Sequence, residues 1–552
     1  MALNHLPADF VWGASTAAYQ IEGATKEDGR GPSVWDTFTA RPGTVRDGHT
    51  GDVACDHYHR YEEDLSLMAE AGLTGYRFSI AWPRIQPTGT GEVNSPGLDF
   101  YDRLVDGLLA HGIEPVPTLF HWDLPQALED DGGWLNRDTA YRFAEYTAIV
   151  ADRLGDRVQK WITLNEPFIH MAWGYGLGIH APGRTLFLDC LPVAHHQLLG
   201  HGLALGELRA RGLQVLVANN CTPVWPASHS LADRAAARAY DHLHNRLFND
   251  PILSGTYPDL SDFGADATLG GSVRGGDLEL ISAPLDAFGI NYYKPTRIQA
   301  PASEGLPFEE APIEGCRRTA FGWPVVPDGL RELLVGLKER YPALPPVYIT
   351  ENGCSVEDVV DADGTVRDLD RIDYLDTHLQ AVDAAGTAEV AEAVKDAGRD
   401  GQRVKSVGAG HSFSPVAVAP GVQLRLDRLD GLRAVDRASG LVTVEAGMPL
   451  WKLGPLLAEH GLALEITGDI DRQTVSGAIS TGTHGSGLRF GGIATQVRGL
   501  RLVLADGSVV DCSADERPQL SRAARVGLGA LGLITEATLH TRFGCRPVRA
   551  GR

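Results

Sequence analysis

The chain is short of cysteine, methionine and positive charge. Seven cysteines and four methionines are spread through 552 residues. The cysteines are odd in number and lack the paired spacing of a metal site, which predicts free thiols in a reducing cytoplasm rather than a disulfide framework. No run of about 18 apolar residues occurs, which excludes a helical membrane span. The opening MALNHLPADFVWGAS has neither a basic n-region nor a long apolar h-region, so no secretory signal is expected. A formal net charge of −22 argues against a nucleic-acid-binding surface. What remains is a soluble cytoplasmic protein acting on small molecules, with homo-oligomerisation left open.

At roughly 150 residues per domain the length predicts several domains, or one large barrel with an addition. Charge divides unevenly: 17 acidic and 20 basic residues lie from Gly386 onward, against 54 and 29 before it. That break falls within THLQAVDAAGTAEVAEAVKD, residues 377–396. Leu375, Leu379 and Val382 sit at helical spacing, as do Val390, Ala393 and Val394. Between them Gly386-Thr387 reads as a glycine stop followed by an N-cap. Two helices meeting end to end are therefore predicted, with domains over 1–385 and 386–540. The last stretch, 541–552, carries four arginines and no acid, and reads as a frameshifted or disordered tail.

Before the seam, short apolar runs alternate with longer amphipathic segments. The strand candidates are FVWGAS (10–15), GYRFSI (75–80), EPVPTLF (114–120), KWITLNEP (160–167), QVLVANN (214–220), AFGINYY (287–293) and PVYITENG (346–353). Strand–helix alternation at this length predicts a parallel (β/α) barrel. Polar residues gather where the runs end: Gln20 and Glu22, Arg77 and Ser79, His121, Trp122 and Asp123, Asn165 and Glu166, Asn291 to Tyr293, and Glu351 and Asn352. All such ends open on one rim of a barrel. Two glutamates there supply the ingredients of carboxylate-pair chemistry, one as acid/base and one as nucleophile. Cys354 reads as a structural thiol. His57 and His59 complete no zinc-like set and read as a solvated helix entry, so no metal is expected.

Residues 10–382 resemble glycoside hydrolase family 1, the β-glucosidase family. The pieces that carry the resemblance are FVWGASTAAYQIEG, YRFSIAWPRI, FHWDLPQAL, TLNEP, GINYY, GWPVVPDGL and YITENG. The resemblance implies a (β/α)8-type TIM barrel with Glu166 as general acid/base and Glu351 as nucleophile. It implies that Gln20, His121, Trp122, Asn165 and Asn291 meet the sugar, that Arg77 and Tyr293 hold Glu351, and that Trp323 lines the aglycone side. The substrate would be a small β-glycoside, with no cofactor required.

After Thr387 the texture changes. VGAGHSFSP (407–415) and STGTHGSG (480–487) are rich in small residues, which suits a backbone lying against a phosphate or a planar ring. The region 388–540 resembles the flavin-binding (PCMH-type) α+β domain of the vanillyl-alcohol-oxidase type, particularly aldonolactone and alditol oxidases. That resemblance implies FAD contacts from Gly408, Gly410, His411, Ser412, Ser480, Thr481, His484 and Gly485, with covalent attachment at His411.

Both resemblances are partial. The family 1 barrel continues with an eighth strand and a loop bearing a Glu-Trp pair that grips the outer sugar hydroxyls, and neither appears here. The flavin oxidases continue into a substrate-binding domain, also missing. An open barrel would expose two unpaired sheet edges, so RVKSVGAG (403–410) is expected to serve as the eighth strand. Three activities stay open: a retaining β-glycosidase, an FAD-binding oxidase fragment, and an inactive fusion product.

Overall fold

The computed structural model describes residues 10–264, 269–303, 305–409, 421–426, 429–468, 470–485 and 491–543. Two compact units are present, one spanning Val11–Leu375 and the other taking the chain from Asp376 onward.

The first unit is built on seven parallel strands in sequential order: β1 (Gly13–Ser15), β2 (Gly75–Ser79), β3 (Glu114–Phe120), β4 (Lys160–Asn165), β5 (Gln214–Asn220), β6 (Phe288–Asn291) and β7 (Val347–Glu351). All seven predicted strands are found. Helices such as Ser95–Ala110, Asp138–Leu154 and Leu191–Ala210 return the chain between them. Strands β2 and β4 are buried along almost their whole length, as expected for a parallel sheet covered on both faces. Register then aligns the rim. Asn220 on β5 pairs with Asn291 on β6, which pairs with Glu351 on β7. Three adjacent strands thus deliver three polar side chains at one level.

Among the described residues no eighth strand joins this sheet, and β1 and β7 are its edges. The two edges nevertheless approach within 8 Å between Cα atoms. A strand inserted between them needs about 9.5 Å, twice the ordinary spacing. The expectation that RVKSVGAG fills this gap is overturned. Its strand β8 (Val404–Val407) pairs instead in parallel with β9 (Val422–Arg425) in the second unit. Pairing with a segment so close in sequence has a small loop-closure cost, and the slot in the barrel is too narrow to compete.

A second correction concerns Glu22, which reads as a rim group in the sequence. Its carboxylate is buried and accepts hydrogen bonds from Arg84 Nε at 3.1 Å, Arg84 Nη2 at 2.9 Å and the Tyr101 hydroxyl at 2.5 Å. The Arg84 guanidinium also lies 4.3 Å from the Tyr58 ring centre. The pair ties the segment after β1 to two helices beside an open sheet edge. Glu22→Ala strands a fully buried guanidinium, so it should destabilise the protein by about 3–5 kcal/mol. Denaturant unfolding followed by tryptophan fluorescence checks this, and an unchanged midpoint would contradict it. His57 is likewise buried, with Nδ1 2.6 Å from Asp64 Oδ2, whereas His59 is half exposed. The solvated helix entry therefore holds for His59 and not for His57. Among the described residues no cluster of metal-ligating side chains occurs, six cysteines are unpaired, and no helix is long and apolar enough to cross a membrane.

The predicted break at Gly386 does not occur. One helix runs from Leu369 to Arg399. A mid-helix glycine costs only about 1 kcal/mol relative to alanine, and the alanine-rich flanks, Ala384-Ala385 and Ala388, favour continuation. Its last turns present Val390, Ala391 and Val394 to the core of the second unit. There an antiparallel sheet takes the order β10 (Leu432–Asp436), β11 (Leu441–Glu445), β15 (Leu533–Phe543), β13 (Val497–Val503), β14 (Val509–Ser513), with β12 (Leu462–Leu464) also pairing to β15. Leu453 and Leu457 from one helix and Val475, Ala478 and Ile479 from another close over the same core. Because β15 continues to Phe543, residues 541–543 belong to the sheet and not to a tail.

Candidate active site

The rim of the barrel gathers the two glutamates. Glu166 directly follows β4, and its backbone N–H donates to Ala218 O at 2.7 Å across to β5. Its φ is +43° and that of Trp122, just after β3, is +74°. Left-handed conformations in non-glycine residues cost about 1–3 kcal/mol each and recur where a strand end must aim a side chain. Here both sharp turns direct a functional group over the strand ends.

Glu166 is buried, and its Oε1 accepts from Asn220 Nδ2 and Asn291 Nδ2, each at 3.0 Å. Glu351 lies opposite in chemistry. Its Oε1 accepts from Arg77 Nη1 at 2.6 Å and its Oε2 from the Tyr293 hydroxyl at 2.7 Å. Arg77 and Asn291 connect the two acids. Arg77 Nη2 donates to Asn165 Oδ1 at 2.5 Å, Asn291 Nδ2 donates to that same oxygen at 3.0 Å, and Arg77 Nε donates to Thr118 Oγ1 at 3.0 Å. Thr350 Oγ1 donates to Asn291 Oδ1 at 2.6 Å.

These environments drive the acids apart. Burial, together with the charge of Glu351, raises Glu166 to about 7. Burial also pushes Glu351 upward, but the Arg77 cation, His121 and the hydrogen bonds from Tyr293 and Arg77 outweigh it, and the net shift is downward. One carboxyl therefore keeps its proton near neutrality and the other loses it, the division of labour that a two-carboxylate reaction requires.

His121, Trp122 and Trp323 pack around the residues that hold this pair. His121 Nε2 sits 2.9 Å from Asn165 Nδ2, and burial lowers its pKa to about 4, so a neutral ring accepts that bond. Trp122 Nε1 donates to Asn165 O at 2.8 Å, and Trp323 packs edge-on against Tyr293 with ring centres 5.4 Å apart. Gln20 is exposed, on the single-turn helix Ala18–Ile21 that follows β1. Asn220, Thr118, Thr350 and His180 are part of the surroundings and were not singled out from sequence. His180 packs against Trp122, Trp35 and Trp173. The paired asparagines ending QVLVANN were the available signal for Asn220.

In the second unit Gly410, His411 and Ser412 fall outside the described residues. Gly408 follows β8, and a Cβ there would lie 2.3 Å from Thr474 Oγ1. Thr474 caps the helix Val475–Ser480 by accepting from Gly477 N. A Cβ on Gly485 would lie 2.6 Å from Thr467 O. Each small-residue motif thus holds a glycine where a Cβ would collide with a neighbour, the Thr474 hydroxyl for Gly408 and a backbone carbonyl for Gly485. Thr481 and His484 remain exposed on the second motif, while Ser480 and Gly485 are half-buried. A hydroxyl and an imidazole beside tight glycine turns form a donor set that fits a dinucleotide such as FAD.

The family described as glycosyl hydrolase family 1 matches residues 2–393, and that described as FAD binding domain matches residues 379–513. Thermostable beta-glucosidase B of Thermobispora bispora is 51% identical over 68% of this chain and 78% of its own length. Beta-glucosidase A of Acetivibrio thermocellus is 46% identical over 68% and 84% respectively. Among solved structures, the psychrophilic beta-glucosidase BglU from Micrococcus antarcticus is 45% identical with a TM-score of 0.66, covering 69% of this chain and 86% of that one. The family 1 b-glucosidase from Thermotoga maritima is 41% identical with a TM-score of 0.66, covering 69% and 86%. With two oppositely tuned glutamates on its barrel rim and its first two thirds aligned with these enzymes, the chain belongs to glycosyl hydrolase family 1, and its residues 379–513 match the FAD binding domain.

Proposed function

We propose that the barrel is a retaining β-glycosidase that hydrolyses β-glucosides and related β-glycosides by double displacement. The observation that carries this reading is the opposite tuning of Glu166 and Glu351 across the Arg77–Asn291 network. In the first step a Glu351 oxygen attacks the anomeric carbon. The bond to the aglycone oxygen breaks, its electron pair leaves with that oxygen, and the oxygen takes the Glu166 proton. In the second step water attacks the same carbon, gives its proton to the Glu166 carboxylate and releases Glu351. Two inversions return the β configuration. Arg77 and the Tyr293 hydroxyl keep Glu351 ionised before attack and orient it, and Trp323 supports Tyr293 from the aglycone side.

The test is hydrolysis of an aryl β-glucoside across pH. The acid must be protonated, so kcat/KM falls as pH rises through about 7. The nucleophile must be ionised, so the acid limb lies below the ordinary carboxylate range. No hydrolysis by folded, monodisperse protein would sink the reading. Without the eighth unit and its Glu-Trp loop, contacts to the outer hydroxyls are lost. Binding that is uniform between ground and transition state shows mainly in KM, so KM should be raised and discrimination between gluco and galacto epimers weak. Comparing the two aryl glycosides measures this.

We infer in addition that the second unit holds FAD, a reading supported by the match over residues 379–513. Gly408, Ser480, Thr481, His484 and Gly485 would contact it, and His411 would carry a covalent link. FAD, when bound, supplies two-electron redox chemistry. Purified protein should be yellow, with flavin retained after acid precipitation and released by His411→Ala. Colourless protein, after reconstitution with FAD, would overturn this.

A further inference from the structure

Behind Glu166 runs a chain of side chains that the two-carboxylate mechanism does not use. Asn220 donates through Nδ2 to Glu166 Oε1 at 3.0 Å. Its own Oδ1 lies 2.8 Å from His244 Nε2, and His244 Nδ1 lies 3.0 Å from the Tyr240 hydroxyl. An amide oxygen only accepts, so His244 Nε2 carries a hydrogen. In a neutral imidazole Nδ1 is then the acceptor, and the Tyr240 hydroxyl donates to it. The whole chain has one consistent direction, from Tyr240 to His244 to Asn220 to Glu166.

The ring of His244 is held firmly enough to set that direction. Phe168, two residues after Glu166, packs on it with ring centres 4.0 Å apart, and Tyr240 flanks it at 5.4 Å. His244 sits in a π-helical turn, His242–Arg246, an irregularity that recurs at functional sites because it re-aims side chains. Asn291 also donates to Glu166 Oε1. Two amide N–H groups on one oxygen leave Oε2 as the atom able to carry the transferable proton.

We propose that His244, backed by Tyr240, is a positioning residue that locks the Asn220 amide so that Glu166 presents its acidic proton on Oε2. The proposal rests on the glycosidase reading above. If His244 lost its N–H, the Asn220 amide could flip and turn its oxygen toward Glu166 Oε1. That contact disfavours the carboxylate and draws the proton onto the wrong oxygen. The charged and titratable groups facing Glu166 are Glu351 from β7, Arg77 from β2, Tyr293 after β6 and the buried Cys221 thiol just after β5, and Lys294 faces His244. Burial, aided by Lys294, lowers His244 to about 3, which keeps the ring neutral through the working range.

His244→Phe keeps the ring volume and removes the donor. Loss of an oriented hydrogen bond to a general acid should lower kcat/KM by roughly 10- to 100-fold on an alkyl β-glucoside, which needs the acid. On 2,4-dinitrophenyl β-glucoside, which leaves unaided, the change should stay under about 3-fold, because acid assistance contributes little there. The basic limb should move upward, and His244→Gln, which restores an N–H donor, should recover both properties. Equal losses on the two substrates, or an unmoved basic limb, would overturn the proposal. Infrared titration of the Glu166 carboxyl, identified by difference from Glu166→Gln, needs no turnover. If the wild-type chain hydrolyses nothing, the glycosidase reading falls, while a midpoint higher in His244→Phe than in wild type still supports the positioning role and equal midpoints refute it.

Discussion

Glu351→Ala should lower aryl β-glucoside hydrolysis on the order of 10⁴- to 10⁶-fold, the loss seen when a covalent nucleophile is removed from a preorganised site. The physical reason is that no other ionised carboxylate is available at the anomeric carbon. Glu166, raised to about 7 by burial and by its partner's charge, holds its proton. In Glu351→Ala that charge is gone, so Glu166 becomes a stronger acid, and Arg77 loses its 2.6 Å partner. A small anion such as azide can then occupy the vacated space beside Arg77. It attacks the face that Glu351 would have used, giving an α-glycosyl azide by a single inversion. An unchanged rate, or a β-configured product from this variant, would reject Glu351 as nucleophile.

Glu166→Ala has the complementary signature. For a poor leaving group the loss of proton donation should lower kcat/KM by about 10²- to 10⁴-fold. For an activated aryl glycoside the first step survives, and the covalent intermediate accumulates because water has lost its base. A burst followed by slow turnover is expected, and azide, which needs no base, should accelerate it and yield a β-glycosyl azide. The fall in rate above pH about 7 should disappear with the group that causes it. Persistence of that limb in Glu166→Ala would assign it to another residue. Together the two variants distinguish the acids by product stereochemistry, a readout that misfolding does not produce.

Much of the catalytic rim was legible in the chain because its signals are local. TLNEP and YITENG each place a glutamate within a residue of a strand's last position, and period and length alone identify all seven strands. What escaped was carried by residues far apart in sequence. Asn220 touches Glu166 from a different strand, and His244 touches Asn220 from a helix 24 residues further on. Glu22, polar and next to the rim motif, turned inward because Arg84 and Tyr101 were there to compensate its burial.

The join between the two units shows the same division. Motif order in the sequence alone tells that a family 1 barrel is followed by an FAD-binding-type domain, while the compact units part between Leu375 and Asp376. Only the tertiary structure decided that one helix, Leu369–Arg399, crosses that position, because packing of Val390, Ala391 and Val394 into the core of the second unit offsets the cost of a single glycine. It also decided that β8 pairs within the second unit and that β1 and β7 draw within 8 Å of each other, leaving too little width for another strand. Strand identity is written in local periodicity, but which edges meet depends on competing pairings that exist only once the chain has folded.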